Sequence, residues 1–273
     1  RQMCIRDRHK IEEGFWSATA NSSIAYPTSG NSLCFQIEES SFWFAHRNKV
    51  ICEIVNQHRP NGTLFDIGGG NGFVASALQR SGIEVALIEP GLEGAQNARK
   101  RGVPLVVHSA LQDAGFSSES IEGASLFDVL EHIEDDCDFL RTIHKYLMPG
   151  TPLFITVPSY SWLWSYEDTY AKHFRRYTLS SLDNVLLRAG FITQFKSYFF
   201  SFLVAPIMFS RTIPTLLGLR RSFSPEVCVS EHKRKGGLAQ GSIDFLCDLE
   251  LRRIRQKRII PFGGSCIVAA RKV

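Results

Sequence analysis

The chain has 273 residues, of which 44% are hydrophobic and 21% charged. That composition excludes a disordered chain and supplies a core for one large domain or two modest ones. The net charge of +4 is too mild to point to nucleic acid, but it is unevenly spread. From Arg211 to Val273 there are 13 Lys and Arg against 5 Asp and Glu, whereas residues 1–210 carry 18 against 22. The seven cysteines are Cys4, Cys34, Cys52, Cys137, Cys228, Cys247 and Cys266. They form no CxxC and are odd in number and widely spaced, which fits a reducing cytosol better than a disulfide framework or zinc site. No apolar run reaches the roughly 18–20 residues that span a bilayer, and no secretory signal is visible. Arg1–Lys10 shares no pattern with the rest of the chain and reads as foreign or truncated sequence.

Residues 11–40 are polar and rich in Ser and Asn, and read as a loose leader with one short helix. Apolar residues at helical spacing predict a helix over 42–58. Pro60-Asn61-Gly62 is a turn. Strands are predicted over 63–67, 84–88, 104–108, 121–127, 152–157, 191–199 and 264–270. Helices are predicted over 73–81, 92–101, 136–147 and 179–188, several of them closed by Gly or Pro-Gly. Strands alternating with helices predict an α/β fold: a mostly parallel seven-stranded sheet with helices on both faces. The expected organisation is a leader over 1–40, a core over 41–199 plus 262–273, and a helical C-terminal insertion over 200–261. Ligands of such sheets bind at the carboxyl ends of the strands, at the switch point.

The sharpest signal is Asp66-Ile67-Gly68-Gly69-Gly70-Asn71-Gly72, between a predicted strand and a predicted helix. Glycines there let the backbone turn tightly and let a ligand approach with no Cβ in the way. Twenty-one residues past Gly68 stands Glu89, at the end of the next strand, where a carboxylate can accept both hydroxyls of a ribose. An adenosine-containing ligand across the first two strands is implied. A dinucleotide would match Gly70-x-Gly72-x-x-Ala75 in its weaker form. Asp66 argues against a pyrophosphate, which its charge would repel, and for a ligand carrying a cation. DxGxGxG followed by an acid is the pattern of class I S-adenosylmethionine methyltransferases, whose cofactor carries ammonium and sulfonium charges.

The chain resembles that class over about residues 40–200 and the last strand. It is similar to the ubiquinone-biosynthesis O-methyltransferases in LFDIGGGNG at 64–72, IEPG at 88–91, FDVLEHIED at 127–135 and LMPGTPLFITVPS at 147–159. It resembles a set of uncharacterised bacterial methyltransferases more closely, through WLWSYEDTYAKHFRRYT at 162–178 and PFGGSCIVAARK at 261–272. The family usually has GCG in the loop and Asp as the second acid; here Gly69 and Glu89 stand at those places. The resemblance implies a Rossmann-like class I methyltransferase fold and S-adenosylmethionine as cofactor; no metal is expected, because the His and acid residues are not at ligand spacing. It implies that Arg47 meets the methionine carboxylate, with a solvated helix arginine as the plainer alternative. Gly68, Gly70 and Gly72 would line the methionine and ribose, Glu89 would hold the ribose, Ala110 and Leu111 would flank adenine, and Phe127 and Asp128 would border the methionine, with Asp66 counted among the cofactor residues for its charge.

Methyl transfer from a sulfonium is an in-line displacement that needs alignment and exclusion of water, with a general base where the acceptor requires one. His132 and His173 are the candidate catalytic groups. Glu131 is a candidate base or a helix-terminal acid. Trp164, Arg176 and Tyr177 are candidate substrate contacts, since adjacent arginines suit phosphate or carboxylate and aromatics can wall a pocket. The plainer reading has Thr178 capping the next helix and the arginines pairing with Glu167 and Asp168.

The stretch 198–221, YFFSFLVAPIMFSRTIPTLLGLRR, is too short and broken to span a membrane. It is read as a buried helical pair, a lid, a dimer surface or a peripheral contact with the inner face of the membrane. No RNA-binding module is recognisable. The sequence therefore points to a cytoplasmic methyltransferase acting on a small or lipid-linked acceptor, with O-methylation expected. A catalytically silent adenosine-ligand binding protein and an NAD-dependent oxidoreductase are the alternatives.

Overall fold

A computed structural model describes residues 9–12, 14–17, 28–219 and 238–273. Most of Arg1–Lys10, and Arg220-Arg221 of the apolar stretch, lie outside the described residues. In chain order the elements are β1 (His9–Glu12), β2 (Phe15–Ser17), α1 (Thr28–Ile37), α2 (Phe42–Gln57), β3 (Leu64–Ile67), α3 (Phe73–Arg80), β4 (Val85–Glu89), α4 (Leu92–Lys100), β5 (Leu105–His108) and β6 (Ala124–Phe127). After these come α5 (Asp136–Tyr146), β7 (Pro152–Pro158), α6 (Tyr166–Tyr170), α7 (Leu179–Arg188), β8 (Phe191–Phe199), α8 (Val204–Ile207), α9 (Ile213–Leu216), α10 (Leu238–Arg255) and β9 (Ser265–Lys272).

One sheet runs through the molecule in the order β1-β2-β5-β4-β3-β6-β7-β9-β8. Among the described strands, the β1–β2, β7–β9 and β9–β8 pairings are antiparallel and the others parallel. The seven expected strands are all present, and the strand count rises to nine because β1 and β2 add a hairpin beside β5. Phe15 pairs with Val106 and Ser17 with His108. The region read as a loose leader thus joins the sheet, and His9 and Lys10 of the stretch read as foreign belong to β1. Phe15 is what anchors it, being buried among the strand and helix side chains of one face.

The central strands are buried on both faces, as a parallel sheet sandwiched by helices requires. Their side chains alternate between two cores. Phe65, Ile67, Ile88, Leu126 and Ile155 face α5 and α7 through Leu140, Ile143, Leu182 and Leu186. Leu64, Val85, Leu87, Phe127 and Phe154 face α2, α3, α4 and α10 through Ile51, Ile54, Leu78, Ala98 and Ile254. The short helical turns from Ser201 to Leu216 leave apolar side chains exposed, unlike the buried helical pair among the readings above. Phe209, Leu216, Leu217 and Leu219 are exposed, while Thr212 is buried and bonds Leu163 O. Glu250 of α10 lies 3.0 Å from Nε2 of His46 and accepts the backbone N–H groups of Phe200 and Ser201, which fixes α10 beside α2. Among the described residues no helix is long and apolar enough to cross a membrane.

Because β3 has β4 on one side and β6 on the other, the chain reverses its direction of growth at that strand. The loops after β3, β4 and β6 therefore open on one crevice, which is where open α/β sheets bind ligands. Phe154, fully buried in the helix-α2 core, is the packing reference: Phe154→Ala is expected to cost about 3–5 kcal/mol, read by urea denaturation.

Candidate active site

The crevice is a cavity of about 720 Å³ lined by the ends of β3, β4, β6 and β7, by α1 and the start of α2, and by the segment around His173. The glycine loop forms its floor. Gly70 has φ of +52°, and an added Cβ there would meet nothing within 4 Å, so the backbone faces open space that a ligand can fill. Gly72 does something else. A Cβ on it would lie 2.8 Å from Ala98 Cβ and 3.0 Å from Val103, so this glycine lets α4 close against the loop. Gly72 is absent from the cavity lining, in contrast to Gly68 and Gly70. At Gly69 a Cβ would come 2.7 Å from Leu87 and 2.8 Å from Asp66 Oδ2. Local packing therefore favours the glycine found in place of the family's usual Cys.

Glu89 ends β4 and turns back over the loop. Its Oε2 accepts Gly70 N–H at 2.9 Å and its Oε1 accepts Gly91 N–H at 2.7 Å. Burial pushes this carboxyl up to about 7, against the pull of the two amides. Asp66, one strand over, accepts Ser125 Oγ–H on Oδ1 at 2.9 Å, while its buried Oδ2 has no hydrogen-bond partner. Burial pushes Asp66 up to about 6. Both acids thus sit desolvated at the cavity wall, held in place but short of positive charge.

Arg47 of α2 is buried and pairs through Nε with Asp128 Oδ2 at 2.6 Å, so it is no solvated helix arginine. Asp128 has φ of +58°, a left-handed conformation costly for a residue with a side chain. It is kept there by its own N–H to Thr156 O and by Thr156 Oγ1–H to its carboxylate, both 2.9 Å. Ala110, Leu111 and Phe127 line the same cavity. Every residue expected to hold the cofactor therefore lines this cavity, except Gly72 behind it.

Glu131, His132 and His173 line the same cavity. Polar atoms of these three gather within 4.8 Å of one another, a set of donor types that also occurs in metal sites and that sequence spacing did not reveal. Glu131 is 1% exposed, belongs to the turn at 130–132, and has an Oε2 with no hydrogen-bond partner. Burial, then the charge of Asp128, holds it well above the usual carboxylate range. The His132 and His173 rings meet edge to face at 4.7 Å. Burial and its neighbour His173 push His132 down to about 4, so it is neutral at pH 7.

The three expected substrate contacts lie outside the cavity lining. Trp164 Nε1–H bonds Thr169 Oγ1 at 3.3 Å. Tyr177 is 2% exposed and its hydroxyl donates to Asp136 at 2.8 Å, while its backbone stitches the loop to Pro158 and Tyr160. Arg176 clasps Asp168 through Nε at 2.7 Å and Nη2 at 2.9 Å and reaches Ser159 O with Nη1. Thr178 caps α7.

Sequence reasoning missed the α1 side of the cavity. Glu38 and Cys34 line it, and Glu38 pairs with Arg101, whose guanidinium sits 4.4 Å from the Phe35 ring and 5.0 Å from the Phe73 ring. Trp43 and Phe44 also line it. They stand four and three residues before Arg47 on the same helix face, a spacing from which they could have been read.

This fold and crevice define a Rossmann-like α/β methyltransferase. The methyltransferase domain family profile matches residues 43–193; the chain belongs to that family, in its class I S-adenosylmethionine-dependent form. Over 99 residues it is 31% identical to the ubiquinone biosynthesis O-methyltransferase of Caulobacter vibrioides, covering 34% of this chain and 39% of that one. A second such enzyme, from Caulobacter sp., is 30% identical over 93 residues, covering 32% and 37%. The matches span about two fifths of these relatives. The fold is shared with a Thermotoga maritima methyltransferase described as a possible histamine N-methyltransferase: TM-score 0.54, 18% identity, 90% and 95% of the two chains covered. It is also shared with phosphoethanolamine N-methyltransferase 2 of Haemonchus contortus in complex with S-adenosyl-L-methionine: TM-score 0.54, 16% identity, 93% and 60% covered.

The buried acids make stability depend on pH. A carboxyl raised in the folded chain favours folding below its ordinary value and loses that contribution as pH climbs through its raised one. In the ligand-free chain Glu89 is therefore expected to contribute a loss of roughly 3 kcal/mol between about pH 4.5 and pH 7, while His132, pushed down to about 4, works in the opposite direction over much of that range. Thermal unfolding across that range checks this, and Glu89→Gln is expected to flatten the slope.

Proposed function

We propose that the chain transfers the methyl group of S-adenosylmethionine to a hydroxyl oxygen of a small or lipid-linked acceptor. The observation that supports the cofactor most is the pairing of an open glycine loop with two desolvated carboxylates, Asp66 and Glu89, on one wall. Such a wall suits a ligand with a cationic group and a ribose diol. In this reading Glu89 holds the ribose hydroxyls, Gly68 and Gly70 let the cofactor lie against the backbone, and Ala110 and Leu111 flank the adenine. Arg47 meets the methionine carboxylate, while Asp66, Phe127 and Asp128 border the methionine portion. Bound there, S-adenosylmethionine supplies an electrophilic methyl group on a sulfonium. The chain's part is to hold the acceptor in line and to keep water out. The choice of oxygen is supported by the relatives from Caulobacter.

Calorimetric titration tests the cofactor. S-adenosylmethionine and S-adenosylhomocysteine are expected to bind and NAD to give no heat. Glu89→Ala is expected to weaken binding about 100-fold, through the loss of charge-assisted bonds to the ribose. Binding of NAD alone would contradict the reading. Turnover of radiolabelled cofactor with water-soluble and polyprenylated phenols then tests for oxygen as the methylated atom.

The exposed Phe209, Leu216, Leu217 and Leu219, in a basic part of the chain, support peripheral contact with anionic membrane at the inner face. At low salt the protein is expected to float with anionic liposomes, and replacing these four residues by Ser is expected to leave it at the bottom of the gradient.

A further inference from the structure

We propose that His173 is the base that takes the proton from the acceptor, and that Asp168, clamped by Arg176, is the residue that positions it. This deepens the function proposed above and rests on it. Asp168 is 1% exposed. Its Oδ2 accepts Ser165 N–H at 2.9 Å and Arg176 Nη2–H at 2.9 Å, and its Oδ1 accepts Arg176 Nε–H at 2.7 Å and bonds Nδ1 of His173 at 2.9 Å. Burial pushes the carboxyl up, but the hydrogen bonds from His173 and Arg176 and the charge of Arg176 outweigh it and hold the group below its ordinary value. An ionised carboxylate can only accept, so Nδ1 of His173 carries the proton of the neutral ring. Nε2 is left with its lone pair, as in other sites where a carboxylate selects the tautomer of a histidine.

The segment is built to keep that ring in place. His173 N–H bonds Asp168 O at 2.9 Å, and Phe174 N–H bonds Glu131 O at 2.8 Å, so the loop is tied both to α6 and to the turn after β6. His173 lines the cavity shared with the glycine loop and packs edge to face on the neutral His132. This accounts for Arg176 without a substrate contact: its guanidinium holds the carboxylate that holds the imidazole. As the acceptor oxygen bonds to the methyl carbon, the carbon–sulfur bond breaks and its electron pair stays on sulfur. The acceptor proton moves to Nε2 of His173, and the resulting imidazolium later returns it to solvent. The acceptor class is a protonated nucleophile, such as an alcohol or phenol.

Two measurements on the full chain test this without a known acceptor. Long-range proton–nitrogen correlation spectra at pH 8 are expected to show His173 with hydrogen on Nδ1 and a bare Nε2. Asp168→Asn is expected to shift it toward the other tautomer. Diethyl pyrocarbonate, which attacks a bare imidazole nitrogen, is expected to modify His173, located by peptide mapping. Saturating S-adenosylhomocysteine is expected to slow that modification several-fold. Hydrogen on Nε2 in the unmutated chain, or modification unaffected by bound S-adenosylhomocysteine, overturns the proposal while the cofactor reading stands. Calorimetry that detects no cofactor binding removes both. Zinc alone blocking modification of His132 and His173 together would make the cluster a metal site and overturn the assignment of His173 as base.

Discussion

Two carboxylates buried side by side at the carboxyl ends of parallel strands are the constraint on which the site depends. Asp66 and Glu89 are almost completely withdrawn from water, and like charges without partners are costly there. The chain offsets part of that cost with the amides of Gly70 and Gly91 and the hydroxyl of Ser125. Those bonds fix the carboxylates rather than neutralise them. What remains is an electrostatic deficit aimed into the cavity, and a cationic ligand with hydroxyl donors relieves it. The sheet order, the glycines and the tight approach of α4 are the means by which that deficit is held at one place.

Behind His173 a different logic holds. There the buried acid Asp168 is compensated by Arg176, Ser165 and His173. A compensated carboxylate is a rigid support, whereas an uncompensated one is a binding surface. The cavity thus holds desolvated carboxyls, Asp66, Glu89 and Glu131, together with a histidine oriented by a compensated one.

Most of the frame was legible because it is written in local signals. The β3–loop–α3 unit shows in the glycine run, and Glu89 shows in its distance from Gly68. The strand and helix ranges expected from their alternation lie within a few residues of those in the structure. What escaped depended on long-range packing. Phe15 finds its partner strand 91 residues on, and Glu38 meets Arg101 across 63 residues. Nothing local marks α1 as a wall of the cavity. Gly72 shares a motif with Gly68 and Gly70, yet its neighbour is a helix. Arg176 and Tyr177 have residue types suited to a substrate, but both are consumed by acids, the buried Asp168 and the half-buried Asp136. The type of a residue suggests its chemistry; only its neighbours decide whether that chemistry is already spoken for.

If the uncompensated wall is what binds the cofactor, binding must ionise it. With Glu89 near 7 and Asp66 near 6 in the ligand-free chain, both are partly protonated at mildly acidic pH. A cation and two hydroxyl donors favour their charged forms. Calorimetry of S-adenosylmethionine binding at pH 6.5, in buffers of different ionisation enthalpy, measures this directly. Release of about one proton per ligand bound, fading toward pH 8.5, is the predicted result. Binding with no proton released, or proton uptake, would contradict the account.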